Sequence, residues 1–217
     1  MTRHRLLMFL KYPLAGQTKT RLIPALGPES AAQLQQEMAE YLLRQLTHPE
    51  WQLDIHFTGS HLADMQAWLG HHQAYYPQSS GDLGERLCHG FRQTFHEFAD
   101  LSQQVEQSVV AIGADCPEVS GRQIQQAFEK LTTHDVVIGP AKDGGYYLIG
   151  LRAHTPRLFQ NIAWSTPQVF GQTYQKAKDS GLSIACLETL SDIDRPEDLA
   201  IWDRIKQCSF SVQPHVV

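Results

Sequence analysis

Lys11, Lys19 and Arg21 fall in residues 1–28, a stretch that also holds Arg3 and Arg5 and contains no acidic residue. Around them the chain reads Lys11-Tyr12-Pro13-Leu14-Ala15-Gly16-Gln17-Thr18-Lys19-Thr20-Arg21-Leu22. Small residues at Ala15 and Gly16 let backbone amides approach a ligand. Lys19 offers a point charge, and Arg21 can grip a phosphate through two parallel hydrogen bonds. The chemistry of such a loop is the binding of a small anion. It is not a Walker A loop, which needs a contiguous Gly-Lys-Ser/Thr with a further glycine upstream. A solvated connector is the plain alternative.

Carboxylates gather elsewhere. Gly113-Ala114-Asp115-Cys116-Pro117 follows the apolar run Val109–Ile112. A hard cation such as Mg²⁺ takes one or two carboxylates together with substrate phosphate oxygens. Asp115 supplies one carboxylate, or else caps the helix that begins near Ser120. Near the other end, Asp192, Asp194, Glu197 and Asp198 crowd into seven positions. Asp194 is either a second metal carboxylate or an N-cap for the helix opened by Pro196. Asp143-Gly144-Gly145 lies between two apolar runs. It reads either as a hairpin turn or as a place where Gly144 and Gly145 clear room for a flat ligand touched by Asp143 or Lys142. Gly81-Asp82-Leu83-Gly84-Glu85-Arg86 opens a helix with glycine, and a helix N-terminus with a nearby Arg86 can meet an anion.

Thiol and zinc chemistry are not indicated. Cys88, Cys116, Cys186 and Cys208 form no C-x-x-C pair. They read as reduced, mostly buried thiols. The eleven histidines contain no H-E-x-x-H, and His71-His72 reads as surface loop.

These loops need elements to hold them. Leu6–Phe9 is an apolar run suited to a strand buried on both faces. Residues 12–28 form a Gly/Pro-punctuated loop. Residues 29–46 carry a helical stripe of Leu34, Met38, Tyr41, Leu42 and Leu46. Leu53–Thr58 and Ala74–Tyr76 read as strands on either side of a short helix at His61–Leu69. A helix from Leu83 turns Leu87, Phe91, Phe95 and Phe98 inward. Val109–Ala114 is a strand, and Ser120 caps a helix with Ile124, Ala127, Phe128 and Leu131 inward. Val136–Ile138 and Tyr146–Leu151 are strands, Pro167–Lys178 a helix, Ser183–Leu187 a strand and Pro196–Ile205 a closing helix. Strand and helix in alternation predict a largely parallel sheet with helices on both faces. Such sheets bind ligands at the carboxyl ends of their strands. The loops 11–27, 113–119 and 139–146 are therefore the expected site.

The 217 residues favour one full-sized domain. The formal charge of −5 is not that of a generic nucleic-acid binder. With 42% hydrophobic and 19% charged residues the chain is not disordered. No apolar run approaches the ~18 residues of a membrane span, and the short run Leu6–Leu10 lacks a signal-peptide cleavage site. A cytoplasmic protein with no membrane or nucleic-acid partner is expected. Residues 1–206 form the domain and 207–217 a tail.

Four strings occur in order: K-x-P-x-x-G-x-x-K-T-R-L from Lys11, A-D-x-P from Ala114, D-G-G-Y-Y-L-I-G from Asp143 and D-I-D-R-P-E-D-L from Asp192. Over about residues 5–206 the chain resembles the nucleotide-diphospho-sugar transferase superfamily, of glycosyltransferase-A fold. It is most similar to a small bacterial family of radical-SAM- or selenium-associated glycosyltransferases. More distantly it resembles 2-phospho-lactate guanylyltransferase and the sugar-acid cytidylyltransferases. The resemblance implies an α/β, single-domain, Rossmann-like three-layer sandwich and a metal-dependent transferase that takes a nucleotide donor and a small-molecule acceptor. It implies that Lys19 and Arg21 hold the donor's phosphates, that Asp115 and Asp194 hold Mg²⁺ or Mn²⁺, and that Gly84, Glu85 and Arg86 line the nucleotide site. Trp164-Ser165-Thr166 faces the acceptor or caps the next helix. The catalytic set is then Lys19, Arg21 and Asp115. Lys11, Gly16, Asp143, Gly144 and Gly145 join the donor-binding residues. The loop departs from the G-G-x-G-x-R-L string of many nucleotidyltransferases, with a single Gly16 and an early Pro13.

Two chemistries use this fold. A nucleotidyltransferase expels pyrophosphate from an NTP; a glycosyltransferase expels NDP from an NDP-sugar. Glycosyltransferases of the fold usually carry D-x-D, whereas Asp115 is followed by Cys116-Pro117. The basic cluster of Lys11, Lys19 and Arg21 suits the distal phosphates of a triphosphate. The balance favours nucleotidyl transfer to a small phosphorylated or acidic acceptor, with glycosyl transfer as the alternative and an inactive nucleotide-binding module as a third reading.

Overall fold

The computed structural model describes residues 3–99 and 107–210 of the chain. Strand β1 (Arg3–Lys11) lies inside the sheet, with strands on both sides, and is apolar on both faces. Leu6, Met8 and Leu10 point into one layer, and Leu7 and Phe9 into the other. Burying such side chains fully is worth ~1.5–3 kcal/mol each. A single 3-10 turn at Thr20–Leu22 leads into the short helix α1 (Ile23–Leu26) and then α2 (Pro28–Leu46). The chain continues through β2 (Gln52–Thr58), α3 (Leu62–Leu69), β3 (Ala74–Pro77) and α4 (Leu83–Ala99). It then runs through β4 (Gln107–Gly113), α5 (Gly121–Leu131), β5 (Val136–Pro140) and β6 (Tyr146–Leu151). The last elements are α6 (Val169–Asp179), β7 (Ile184–Cys186) and α7 (Leu199–Phe210).

The seven strands lie in the order β3-β2-β1-β4-β6-β5-β7. All neighbours pair in parallel except β6, which runs antiparallel to both β4 and β5. One face is covered by α2, α3 and α5 through Leu42, Leu46, Met65, Ile124 and Phe128. The other is covered by α4 and α6 through Leu87, Phe91 and Ala177, with Leu158 and Phe159 from the connecting segment. A third apolar cluster of Leu22, Leu34, Met38, Ile193 and Trp202 ties α2 to α7. This is the expected three-layer sandwich with a largely parallel sheet.

The chain leaves β1 toward β2 and β3 on one side, then crosses back to place β4 on the other. The gap beyond the carboxyl ends of β1 and β4 is therefore the switch point, where open α/β sheets take their ligands.

Several local readings change. Residues 12–28 contain the 3-10 turn and α1 rather than loop alone. Pro196–Asp198 is a 3-10 turn, and α7 runs to Phe210 rather than stopping at Ile205. The side chain of Phe98 and residues 211–217 lie outside the described residues. Of the four thiols only Cys116 is buried; Cys88 is half-buried, and Cys186 and Cys208 are exposed. His71 and His72 are exposed, as expected. Among the described residues no helix is long and apolar enough to cross a membrane.

The basic N-terminal stretch serves two ends of the sheet. Arg5 pairs with Asp54 at 2.5 Å and Glu97 at 2.7 Å. Six residues of strand, about 20 Å, separate it from Lys11. Nearby, His56 is 2% exposed and stacks between Phe9 and Tyr76 with ring centroids at 4.9 and 5.2 Å. Burial pushes its imidazole down to about 4, with His89 and Arg5 adding to the shift.

Candidate active site

The loop after β1 is wound by its own backbone. The Gln17 and Thr18 N–H groups donate to the Leu14 carbonyl, and the Thr18 hydroxyl donates to the Tyr12 carbonyl at 3.2 Å. Lys11 Nζ donates to the Gln17 carbonyl at 2.8 Å and so steadies this loop. Gly16 lies exposed at its turn. Lys19 then takes the left-handed conformation, with φ 49°. This is uncommon for a residue other than glycine.

The Lys19 side chain is only 3% exposed. Its ammonium donates to the Ile193 carbonyl at 2.5 Å and meets Asp115 Oδ1 at 2.8 Å. Asp194 Oδ1 lies 3.9 Å away. One buried cation thus draws together the loop after β1, the loop after β4 and the segment before α7. Arg21 extends the cluster, with Nη1 on Asp194 Oδ2. At 60% exposure its guanidinium retains donors for an incoming anion.

Neither carboxylate caps a helix. The Ser120 hydroxyl accepts from the Arg122 N–H, and Gln123 reaches back to Ser120, so α5 is closed without Asp115. The Asp198 carboxylate accepts the N–H groups of both Asp194 and Arg195, so Asp194 keeps its side chain for the site. The end of β4 is pinned to β1 by the Ala114 N–H on the Phe9 carbonyl at 3.1 Å. The segment carrying Asp194 is laid beside β5 by Leu190 N–H to Pro140 O at 3.1 Å and Lys142 N–H to Leu190 O at 3.0 Å.

A further carboxylate stands here that the sequence reading left out of the site. Asp192 is half-buried, and burial together with Asp143 and Asp194 pushes its carboxyl up to about 6. The signal is the acid-apolar-acid pattern of Asp192-Ile193-Asp194, with Ile193 buried.

The remaining residues have structural partners. Asp143 Oδ1 accepts the Gly145 N–H at 2.8 Å and closes the β5–β6 hairpin, while its charge is felt at Asp192. A Cβ on Gly144 would meet the Pro167 carbonyl oxygen at 2.3 Å. One on Gly84 would meet the Phe159 carbonyl and Trp164 Nε1 at 2.6 Å. Both glycines therefore seat the segment 159–167, which gives them a packing reason beside the ligand-clearing one. Asp82 and Glu85 exchange backbone bonds at 2.9 Å as the cap of α4, and Arg86 Nε donates to the Gly81 carbonyl at 3.0 Å. The hydrogen bonds of Lys11, Glu85 and Arg86 thus lie outside the Lys19 cluster. The Thr166 hydroxyl donates to the Ala163 carbonyl at 2.6 Å and accepts the Gln168 N–H at 3.3 Å, while α6 itself starts from Gln168 without a side-chain cap.

The donor set suits a hard divalent cation. Asp115 and Asp194 pair with the two cations Lys19 and Arg21, while Asp143 and Asp194 add to the burial that raises the neighbouring Asp192 carboxyl. Among the described residues no group of three His, Cys, Asp or Glu side chains is set to hold a metal alone. A cation held here would need one or two of these carboxylates together with phosphate oxygens.

A 98-residue stretch is 35% identical to the 3-phospho-D-glycerate guanylyltransferase of Phenylobacterium zucineum, covering 42% of this chain and 41% of that protein. The match thus spans about two-fifths of the relative's length. A crystal structure from Desulfovibrio desulfuricans G20, described as a nucleotide-diphospho-sugar transferase, superposes with TM-score 0.86 at 32% identity. That superposition covers 95% of this chain and 89% of the other. The 4-diphosphocytidyl-2C-methyl-D-erythritol synthase of Anaerococcus prevotii shares the fold, with TM-score 0.58 at 10% identity over 95% and 99% of the two chains. Residues 41–166 match the profile of a bacterial family described as "Uncharacterized protein conserved in bacteria (DUF2064)", and the chain belongs to that family.

Proposed function

We propose that the protein is a metal-dependent nucleotidyltransferase that moves a nucleotidyl group from an NTP to a small phosphorylated acid. The observation that carries this reading is the Lys19 ammonium, which gathers Asp115 and Asp194 at the switch point beside Arg21. The guanylyltransferase relative supports GTP as donor and 3-phospho-D-glycerate as the first acceptor to try.

An acceptor oxygen attacks the α-phosphorus, a new P–O bond forms, and the bond to the bridging oxygen breaks. Pyrophosphate leaves with that electron pair. Asp115 and Asp194 would hold the divalent cation, which when bound supplies positive charge to the phosphate oxygens. Arg21 binds the outgoing phosphates with its free donors. Lys19, engaged on three oxygens, orients both carboxylates and keeps positive charge beneath the reacting phosphate. Removing one such electrostatic contact costs roughly 10²–10³-fold in rate. No covalent nucleophile is needed. Cys116, the thiol beside Asp115, is pushed by burial up to about 12 and stays protonated.

Glycosyl transfer from an NDP-sugar is the second reading, favoured by the description of the Desulfovibrio relative. Thermal shift separates the donors by mass action. With Mn²⁺, GTP is expected to raise the melting temperature more than GDP-sugars at equal concentration, and Arg21→Ala to shrink that gap. Stabilisation by an NDP-sugar alone, with all NTPs inert, would favour glycosyl transfer.

A further inference from the structure

The two loops that carry Asp115 and Asp194 are joined at points outside those carboxylates. The Cys116 thiol donates to the Ser191 carbonyl at 3.2 Å. The Ser191 N–H donates to Glu118 Oε2 at 2.8 Å. Both backbone polar groups of Ser191 are thus held by side chains of one short loop. A third tie, Ile193 N–H to the Asp115 carbonyl at 2.9 Å, lies between them and Asp194. Ser191 is 5% exposed, so a freed N–H there has little water to turn to.

Residues 191–194 belong to no helix or strand. The place of Asp194 is therefore set by these side-chain and loop bonds rather than by a regular ladder. Of the side-chain ties on Ser191, the thiol is a weak donor. The bond to Glu118 is charge-assisted and correspondingly strong. Glu118 is itself fixed in the turn between β4 and α5, two residues from the buried Cys116.

We propose that Glu118 is a positioning residue that sets the distance between Asp115 and Asp194 by holding the Ser191 backbone, and so tunes divalent-cation affinity without touching the cation. The proposal rests on the reading of Asp115 and Asp194 as the cation-holding pair. Glu118→Ala removes the acceptor, whereas Glu118→Gln keeps an oxygen for the Ser191 N–H.

The test uses the full chain and two readouts. The first is amide hydrogen exchange across 188–195 without metal. The second is Mn²⁺ binding followed by electron paramagnetic resonance, with and without GTP. Glu118→Ala should speed exchange at 191–194 and weaken Mn²⁺ binding about tenfold, with Glu118→Gln, which keeps a neutral acceptor, clearly closer to the parent in both. Unchanged exchange in Glu118→Ala overturns the proposal. So does unchanged Mn²⁺ affinity in that variant where Asp115→Asn loses binding. Equal impairment of Glu118→Gln overturns it as well, since charge rather than the hydrogen bond would then be at work. A parent protein that binds no Mn²⁺ defeats the metal reading instead, and hydrogen exchange still decides whether Glu118 holds the segment.

Discussion

Lys19 is the residue on which the site turns. A 3%-exposed ammonium must have its charge met, and here it is met by Asp115, the Ile193 carbonyl and, farther out, Asp194. Deleting it strips Asp115 of its counter-charge and leaves Arg21 as the cation paired with Asp194. Lys19→Ala is expected to lower turnover roughly 10²–10³-fold. The exposed Arg21 should cost less. Lys19→Ala and Asp115→Asn should also be non-additive, since they share one contact. Steady-state kinetics on the two single variants and the double variant read this directly. Asp115 is 58% exposed on its side chain. Asp115→Asn should therefore abolish metal-dependent nucleotide binding in calorimetry while moving the melting temperature little.

At the scale of elements, Gly84 and Gly144 decide how segment 159–167 docks. Gly84→Ala drives a methyl against the Phe159 carbonyl and the Trp164 ring, and overpacking of this kind costs ~1–3 kcal/mol. Gly144→Ala should cost more, because φ +91° adds backbone strain to a 2.3 Å contact. Urea unfolding of both variants checks the ranking. The elements themselves were largely legible. Runs such as Leu6–Phe9 and Val109–Ile112 carry apolar side chains on both faces, which is how a central parallel strand reads. The direction of β6 is legible too, in the hairpin-turn reading of Asp143-Gly144-Gly145. The link 141–145 is too short for a parallel crossover, which needs a dozen residues or more. The turns at 20–26 were hidden by Pro13, Gly16, Pro24, Gly27 and Pro28, which punctuate the segment as loop. Asp115 and Asp194 stand out in the sequence because their types and order carry a pattern. Asp192 and Glu118 do not, because the neighbours that distinguish them lie far along the chain, Asp143 for one and Ser191 for the other.

For the whole molecule, the buried polar groups of β2 beside β1 make stability depend on pH. His56 falls from 6.5 in the unfolded chain to about 4 in the fold. The unfolded chain takes up a proton as pH drops through 6.5, and the folded protein does not until about 4. This contribution is complete above 6.5 and is lost as pH falls toward 4, reaching about 3 kcal/mol. Burial pushes neighbouring Asp54 the other way, up to about 6 against the pull of Arg5, so the parent curve is muted. The difference between parent and His56→Phe isolates the histidine. Phenylalanine keeps the stack on Phe9 and Tyr76, and the variant should gain on the parent by that amount between pH 6.5 and 4 in denaturant titrations. A constant offset over the window would mean that His56 is not held neutral.

The proposed function puts the reaction at the α-phosphate of a nucleoside triphosphate bound beside the Lys19 cluster. The identity of the leaving group tests that most directly. Phosphorus NMR of the protein with Mg²⁺, GTP and 3-phospho-D-glycerate, and in parallel with the other NTPs and acids, resolves the products. The prediction is inorganic pyrophosphate and a new diphosphate-linked (phosphoanhydride) product signal in equal amounts, both absent with Asp115→Asn. Release of a nucleoside diphosphate from an NDP-sugar, with every NTP recovered intact, would contradict it.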